Sequence, residues 1–96
     1  GLKVKEPALD LALVLSIISS YKRESVIKDV GVFGEVGLTG ELRPVPNAEK
    51  RLLEFEKMGF TAALMPAKNK QSYKLKTIKP IYANDINEAV QVMFKK

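Results

Sequence analysis

The chain contains no cysteine, no histidine and no tryptophan in 96 residues. Without cysteine there is no disulfide framework and no thiolate metal site, which fits a reducing compartment. Without histidine the commonest general base and the commonest metal ligand are missing. Any chemistry would have to rest on Ser, Lys, Asp, Glu or Tyr. Long apolar runs are also lacking. The longest, Leu11 to Leu15, is far too short to span a bilayer, so no membrane partner is expected.

At 46% hydrophobic and 28% charged, the composition is that of a globular domain and not of a disordered segment. Its length suits one domain or part of one. The net charge of +5 permits an anionic partner without requiring one. The opening Gly1-Leu2-Lys3-Val4-Lys5 alternates apolar and charged residues like the end of a strand. The expectation is a piece of a longer protein.

Glu6-Pro7 opens a helix, where proline suits the first turn because its missing N–H has no intrahelical partner there. Leu9, Leu11, Leu13, Val14, Ile17, Ile18 and Tyr21 cover much of its circumference, which predicts burial on more than one side. Lys28 to Gly37 reads as a strand whose glycines mark a close backbone approach or a bulge. Leu38 to Glu41 is a turn, and Leu42 to Val45 returns as a short strand, completing a hairpin. Asn47 is placed to cap a second helix with Ala48, Leu52 and Phe55, together with Leu53 and Met58, on its apolar side, and Gly59 ends it. Thr61 to Met65 is a compact apolar strand at the spacing of a helix-to-parallel-strand return. Ala67 to Tyr73 is a polar loop, and Lys74 to Tyr82 alternates as an edge strand containing Pro80. Asn84 or Asp85 caps a last helix carrying Ile86, Ala89, Val90, Met93 and Phe94, and Lys95 and Lys96 suit its end by the dipole argument. The fold class is α/β (α+β), with helices packed on a mixed sheet.

Gly34, Gly37 and Gly40 are glycine-rich enough to suggest phosphate binding. They match neither a Walker loop nor the dinucleotide fingerprint, and no helix follows, so turn glycines are the better reading. Ser16, Ser19, Ser20 and Ser25 have no histidine to activate them. Lys22 and Lys28, the lysines near them, lie in polar surroundings unsuited to a Ser–Lys pair. Asp10 and Glu35 sit in apolar contexts, where a carboxylate more often accepts hydrogen bonds from backbone, or from an arginine such as Arg43, than performs catalysis. No metal-ligand spacing occurs.

Lys68, Lys70, Lys74, Lys76 and Lys79 form the strongest charge feature, since no acidic residue falls between Met58 and Lys79. Such a run suits phosphate contacts, with Tyr73 as a base-stacking partner. From the residues alone, a solvated loop and edge strand protected from aggregation is the better-supported reading.

Three segments carry a family resemblance. Glu6-Pro7-Ala8-Leu9-Asp10-Leu11-Ala12, the hairpin from Phe33 to Val45, and Arg51-Leu52 through Phe60 to Pro66 resemble the RadA (Sms) family of bacterial DNA repair proteins. The closing helix from Asn84 to Val90 is similar as well. In that family the region is a C-terminal Lon-protease-like domain. The resemblance implies that residues 1–96 form that domain in part, without its first strands. The zinc-binding segment and the RecA-like ATPase core of the family would lie outside this chain. Zn, ATP and Mg would belong to those parts, and no cofactor to this domain.

Lon proteases use a Ser–Lys dyad whose serine stands in a Pro-Ser-Ala-Gly sequence. Pro7-Ala8-Leu9-Asp10 matches it here, so Ala8 occupies the nucleophile position. The lysine stands five residues after the proline that matches Pro44, which is Glu49. Lys50 is next door but is turned about 100° around a helix. Alanine offers no nucleophilic atom, and glutamate cannot be the cationic partner.

The resemblance implies an ATP-dependent, hexameric, cytoplasmic parent, a DNA-dependent ATPase or helicase, acting in recombination and repair on single-stranded or branched DNA, in company with a RecA-type recombinase. This domain would be its non-catalytic scaffold and DNA-contacting part. Candidate DNA contacts are Lys68, Lys70, Lys74, Lys76 and Lys79, with Arg43 and Arg51 added on charge alone. The alternatives are a purely structural oligomerisation module and a Ser–Lys peptidase, the latter needing a serine where Ala8 stands.

Overall fold

A computed structural model describes residues 6–94. The strand expected at Leu2–Lys5, and Lys95 and Lys96, lie outside the described residues. A 3-10 turn over Pro7–Leu9 leads into α1 (Asp10–Lys22). The remaining elements are β1 (Val30–Val32), β2 (Glu35–Val36), β3 (Leu42–Arg43), α2 (Ala48–Lys57), β4 (Ala62–Pro66), a 3-10 turn at Ala67–Asn69, β5 (Lys79–Ala83) and α3 (Ile86–Met93).

The α/β reading holds, with the strands divided between two sheets. β1, β4 and β5 form a parallel sheet in the order β1-β4-β5. β2 and β3 form a separate antiparallel hairpin, with Glu35 opposite Arg43 and Val36 opposite Leu42. The single strand expected over Lys28 to Gly37 is therefore two. It breaks at Phe33-Gly34, where Gly34 N–H donates to Ala8 O at 2.8 Å and Leu11 N–H donates to Gly34 O at 3.0 Å. The start of α1 takes the backbone groups that would have continued the strand.

β4 is central, and its residues alternate between two cores. Ala63 and Met65 join Ala8, Phe33, Val45, Ala48, Leu52 and Ile78 on the α2 side. Leu64 joins Leu11, Leu15, Leu42, Ala83, Ala89 and Met93 on the side of α1 and α3. Helices thus cover both faces of a parallel sheet, which explains a middle strand with almost no polar atoms. Gly31 in β1 allows a close approach, as expected, because a Cβ there would lie 2.6 Å from the Phe55 ring.

Four expectations are corrected. α1 is buried along one face only, through Leu11 and Leu15, while Leu9, Leu13, Ile17 and Tyr21 are exposed at four-residue intervals. No described element lies over that second face. Asn47 stands at the start of α2 in a left-handed conformation (φ 61°), and its side chain makes no cap. Met58 is exposed, because α2 ends before its apolar face returns to the core. Residues 74–78 are not strand. β5 begins at Lys79, and the preceding segment is held by a side chain of α2.

α3 is capped by Asp85, whose carboxylate accepts Glu88 N–H at 2.9 Å, while Glu88 accepts the Asn84 amide at 2.7 Å.

Candidate nucleic-acid interface

The connection from β4 to β5 sets the geometry of the lysines. Parallel neighbours require a crossover, and here residues 67–78 provide one with a single 3-10 turn and no α-helix. Irregular backbone of this length needs partners for its polar groups. Two side chains fix this segment to the fold, and one of them also supplies backbone partners.

Asn69 is the first. Its Oδ1 accepts Val45 N–H at 2.9 Å and its Nδ2 donates to Val45 O at 3.0 Å, as a neighbouring strand would. Tyr73 closes the same corner by donating its hydroxyl to Asn69 O. The Tyr73 phenol is raised above its ordinary value, first by desolvation and then by Tyr82 and Glu49. Its ring packs against the α2-side core, so it is not the free stacking platform expected from the sequence.

Glu56 is the second. One carboxylate oxygen accepts the successive amides of Lys76 at 2.9 Å, Thr77 at 2.5 Å and Ile78 at 3.0 Å, and the Thr77 hydroxyl at 3.2 Å. These bonds, the Thr77 amide foremost, hold the Glu56 carboxyl at a pKa of about 2.

Pinned in this way, the crossover presents Lys68, Lys70, Lys74 and Lys76 to solvent, and Lys79 is exposed at the start of β5. Among the described residues none of the five forms an ion pair. They do not make one patch. β4 and β5 run in the same direction, so Lys68 and Lys70 follow the end of β4 while Lys79 opens β5 at the opposite end of the sheet. Five strand residues separate the ends by about 13 Å. The Lys70 ammonium lies 5.5 Å from the Tyr82 ring centroid, a cation–π contact.

The two candidate arginines are engaged within the chain. Arg43 meets Glu41 at 3.3 Å. Arg51 meets Glu6 at 3.5 Å and donates from Nε to Pro46 O at 3.0 Å.

A feature that the linear run does not reveal lies where the crossover passes α2. Lys50 and Lys57, seven residues apart on α2, line a surface groove of about 560 Å3 with Leu53, Glu54, Glu56, Lys76 and Thr77. The sequence signal was the spacing of 50, 53 and 57 on one helix face. Nothing in the sequence brought Lys76 to that face.

The turn from Gly37 to Gly40 binds its own anion. Glu41 accepts Thr39 N–H at 3.1 Å and the Thr39 hydroxyl at 2.5 Å, and its carboxyl is held at about 2, the Thr39 hydroxyl being the largest cause. A Cβ on Gly37 would fall 2.0 Å from that carboxylate. The turn is thus filled with negative charge, which is hostile to a phosphate.

Ala8, which the family resemblance sets at the position of the Lon serine, is buried among Phe33, Val45 and Ala48. Glu49 lies half-exposed on the first turn of α2. Asp10 is structural, accepting Val36 N–H at 3.1 Å and tying the hairpin to α1. Ser19 donates its hydroxyl to Glu24 O. Lys22 and Lys28 are exposed. No group of acidic residues able to hold a metal ion occurs among the described residues, and no described helix is long and apolar enough to cross a membrane.

Residues 1–69 match the family described as ChlI, subunit ChlI of Mg-chelatase. The chain is 39% identical over 93 residues to DNA repair protein RadA of Haemophilus influenzae, covering 97% of this chain and 20% of that protein. It is 43% identical over 94 residues to DNA repair protein RadA of Aquifex aeolicus, covering 98% and 21%. It is 49% identical over 69 residues to DNA repair protein RadA of Escherichia coli, covering 72% and 15%. The chain spans about a fifth of the length of the first two relatives. By its matched segment and its α/β architecture, the chain belongs to the ChlI family of Lon-related domains, in the form found in bacterial RadA-type DNA repair proteins.

Proposed function

We propose that this is a non-catalytic Lon-like scaffold and DNA-contacting domain of an ATP-dependent DNA repair and recombination protein. The supporting observation is the crossover itself. An irregular segment bearing four exposed lysines, with a fifth, Lys79, at the start of β5 and none of them in an ion pair among the described residues, is pinned to the fold through Asn69 and Glu56. Cations held on a fixed backbone lose less entropy when they bind phosphates than cations on a mobile loop.

The parent would be a DNA-dependent ATPase or helicase that assembles as a hexameric ring in the cytoplasm and acts with a RecA-type recombinase. ATP, Mg and Zn would be held in its other parts. Peptidase chemistry has no nucleophile at Ala8 and no cationic base at Glu49. A purely structural oligomerisation role is the competing reading.

The test is a salt titration of oligonucleotide binding by the full-length, assembled protein. The expected result is steep salt dependence that flattens when Lys70, Lys74 and Lys76 are reversed to glutamate. The log–log slope should fall by about 0.7 for each single-strand phosphate that a lysine no longer neutralises. Absence of binding at low salt would leave the structural role.

A further inference from the structure

The run of lysines suggests a contact spread along the crossover, but the fold divides it between two ends of the sheet. Resting on the DNA-contacting reading above, we propose that the principal phosphate contact lies in the groove between α2 and the crossover. Lys50, Lys57 and Lys76 would engage the sugar–phosphate backbone of single-stranded DNA there.

Three observations converge on this groove. Lys50, Lys57 and Lys76 reach it from two different elements, and all three are exposed and unpaired among the described residues. Their charges face two carboxylates, Glu54 and Glu56. Glu56 spends its lone pairs on the Lys76, Thr77 and Ile78 amides but keeps its charge, so the lining sets three cations against two carboxylates and stays positive by one charge. Lys79 adds to the same end of the sheet, since it pairs with Ala62 at the start of β4, just after α2 ends.

The groove is also not purely polar. Leu53 lies half-exposed between the two lysines of α2. An apolar side chain flanked by cations suits a strand whose sugars and base faces are accessible, and duplex DNA offers mainly phosphates at its rim. At the other end of the sheet, Lys70 is occupied with the Tyr82 ring.

The test compares two charge reversals in the full-length protein, with fluorescein-labelled oligo-dT as probe. K50E/K57E alters residues outside the lysine run, and K68E/K70E alters the far end of it. The groove predicts that K50E/K57E weakens binding about tenfold or more and lowers the salt slope by about 1.4, with a smaller effect for K68E/K70E. It further predicts that Glu54→Gln tightens binding about twofold, which a merely structural role for α2 would not produce. Thermal unfolding checks that each variant folds, and K50A/K57A replaces the reversal if it does not. Equal weakening by both pairs, or weakening by K68E/K70E alone, would overturn the groove while leaving DNA binding intact. Full competition by inorganic phosphate at matched ionic strength would also overturn it, by identifying a free-phosphate site. No oligo-dT binding by the unaltered protein at low salt would overturn the DNA-contacting reading and this proposal together.

Discussion

The Glu56 carboxylate, on the last turn of α2, accepts the main-chain amide of Thr77 at 2.5 Å across twenty-one positions of sequence. The flanking amides of Lys76 and Ile78 share the same oxygen. One side chain thereby organises the second half of a crossover that has no α-helix of its own.

This makes stability depend on acid pH. The Glu56 pKa is about 2 when folded, against an ordinary 4.5. A depressed folded pKa contributes stability that is fully present above 4.5 and lost as pH falls toward 2. Glu41 has the same direction and window. Melting temperatures of the unaltered protein and Glu56→Gln should therefore differ most near neutrality and converge below pH 4.5. A gap that stays constant with pH would contradict this.

Asn69 tests the other end of the crossover. Asn69→Ala leaves both Val45 backbone groups without their partner. The cost should be about 1–3 kcal/mol by chemical denaturation. Asn69→Asp should lose comparable stability at neutral pH, because a carboxylate can still accept Val45 N–H but would face Val45 O.

Gly31 and Phe55 should be energetically coupled. A Cβ at Gly31 would lie 2.6 Å from the Phe55 ring, so Gly31→Ala should destabilise by about 1–3 kcal/mol. In a double-mutant cycle with Phe55→Leu, part of that cost should disappear, because the smaller side chain makes room. Strict additivity would mean that the contact is not the cause.

Restoring the serine should not restore a protease. Ala8→Ser places a hydroxyl among Phe33, Val45 and Ala48 with Glu49 where the lysine would stand. Fluorescent casein should remain uncleaved, while the melting temperature falls by the equivalent of about 1–3 kcal/mol for a buried hydroxyl that lacks a partner. Measurable cleavage would refute this account of the site.

Much of the fold was legible because local chemistry and packing agreed. The hairpin around Gly37 and Gly40, α2 ending before Gly59, the apolar β4 and the Asp85 cap all follow from short-range preferences that the core also rewards. Misreadings occurred where a distant group intervened. Lys28 to Gly37 looked like one strand until Ala8 and Leu11 took the backbone of Gly34. Residues 74–78 alternated like a strand, but Glu56 had already taken the amides at Lys76, Thr77 and Ile78. Tyr73 looked free in a polar loop until its hydroxyl found Asn69.

The candidate site divides along the same line. That Ala8 offers no nucleophilic atom follows from residue identity, whatever surrounds it. The excess of lysine over residues 68–79 is equally a property of the chain. How those charges are grouped is not. Parallel β4 and β5 send the ends of the run to opposite ends of the sheet, and one glutamate on α2 draws Lys76 beside Lys50 and Lys57. Composition sets how much positive charge there is, and strand direction with a single long-range carboxylate sets which charges act together.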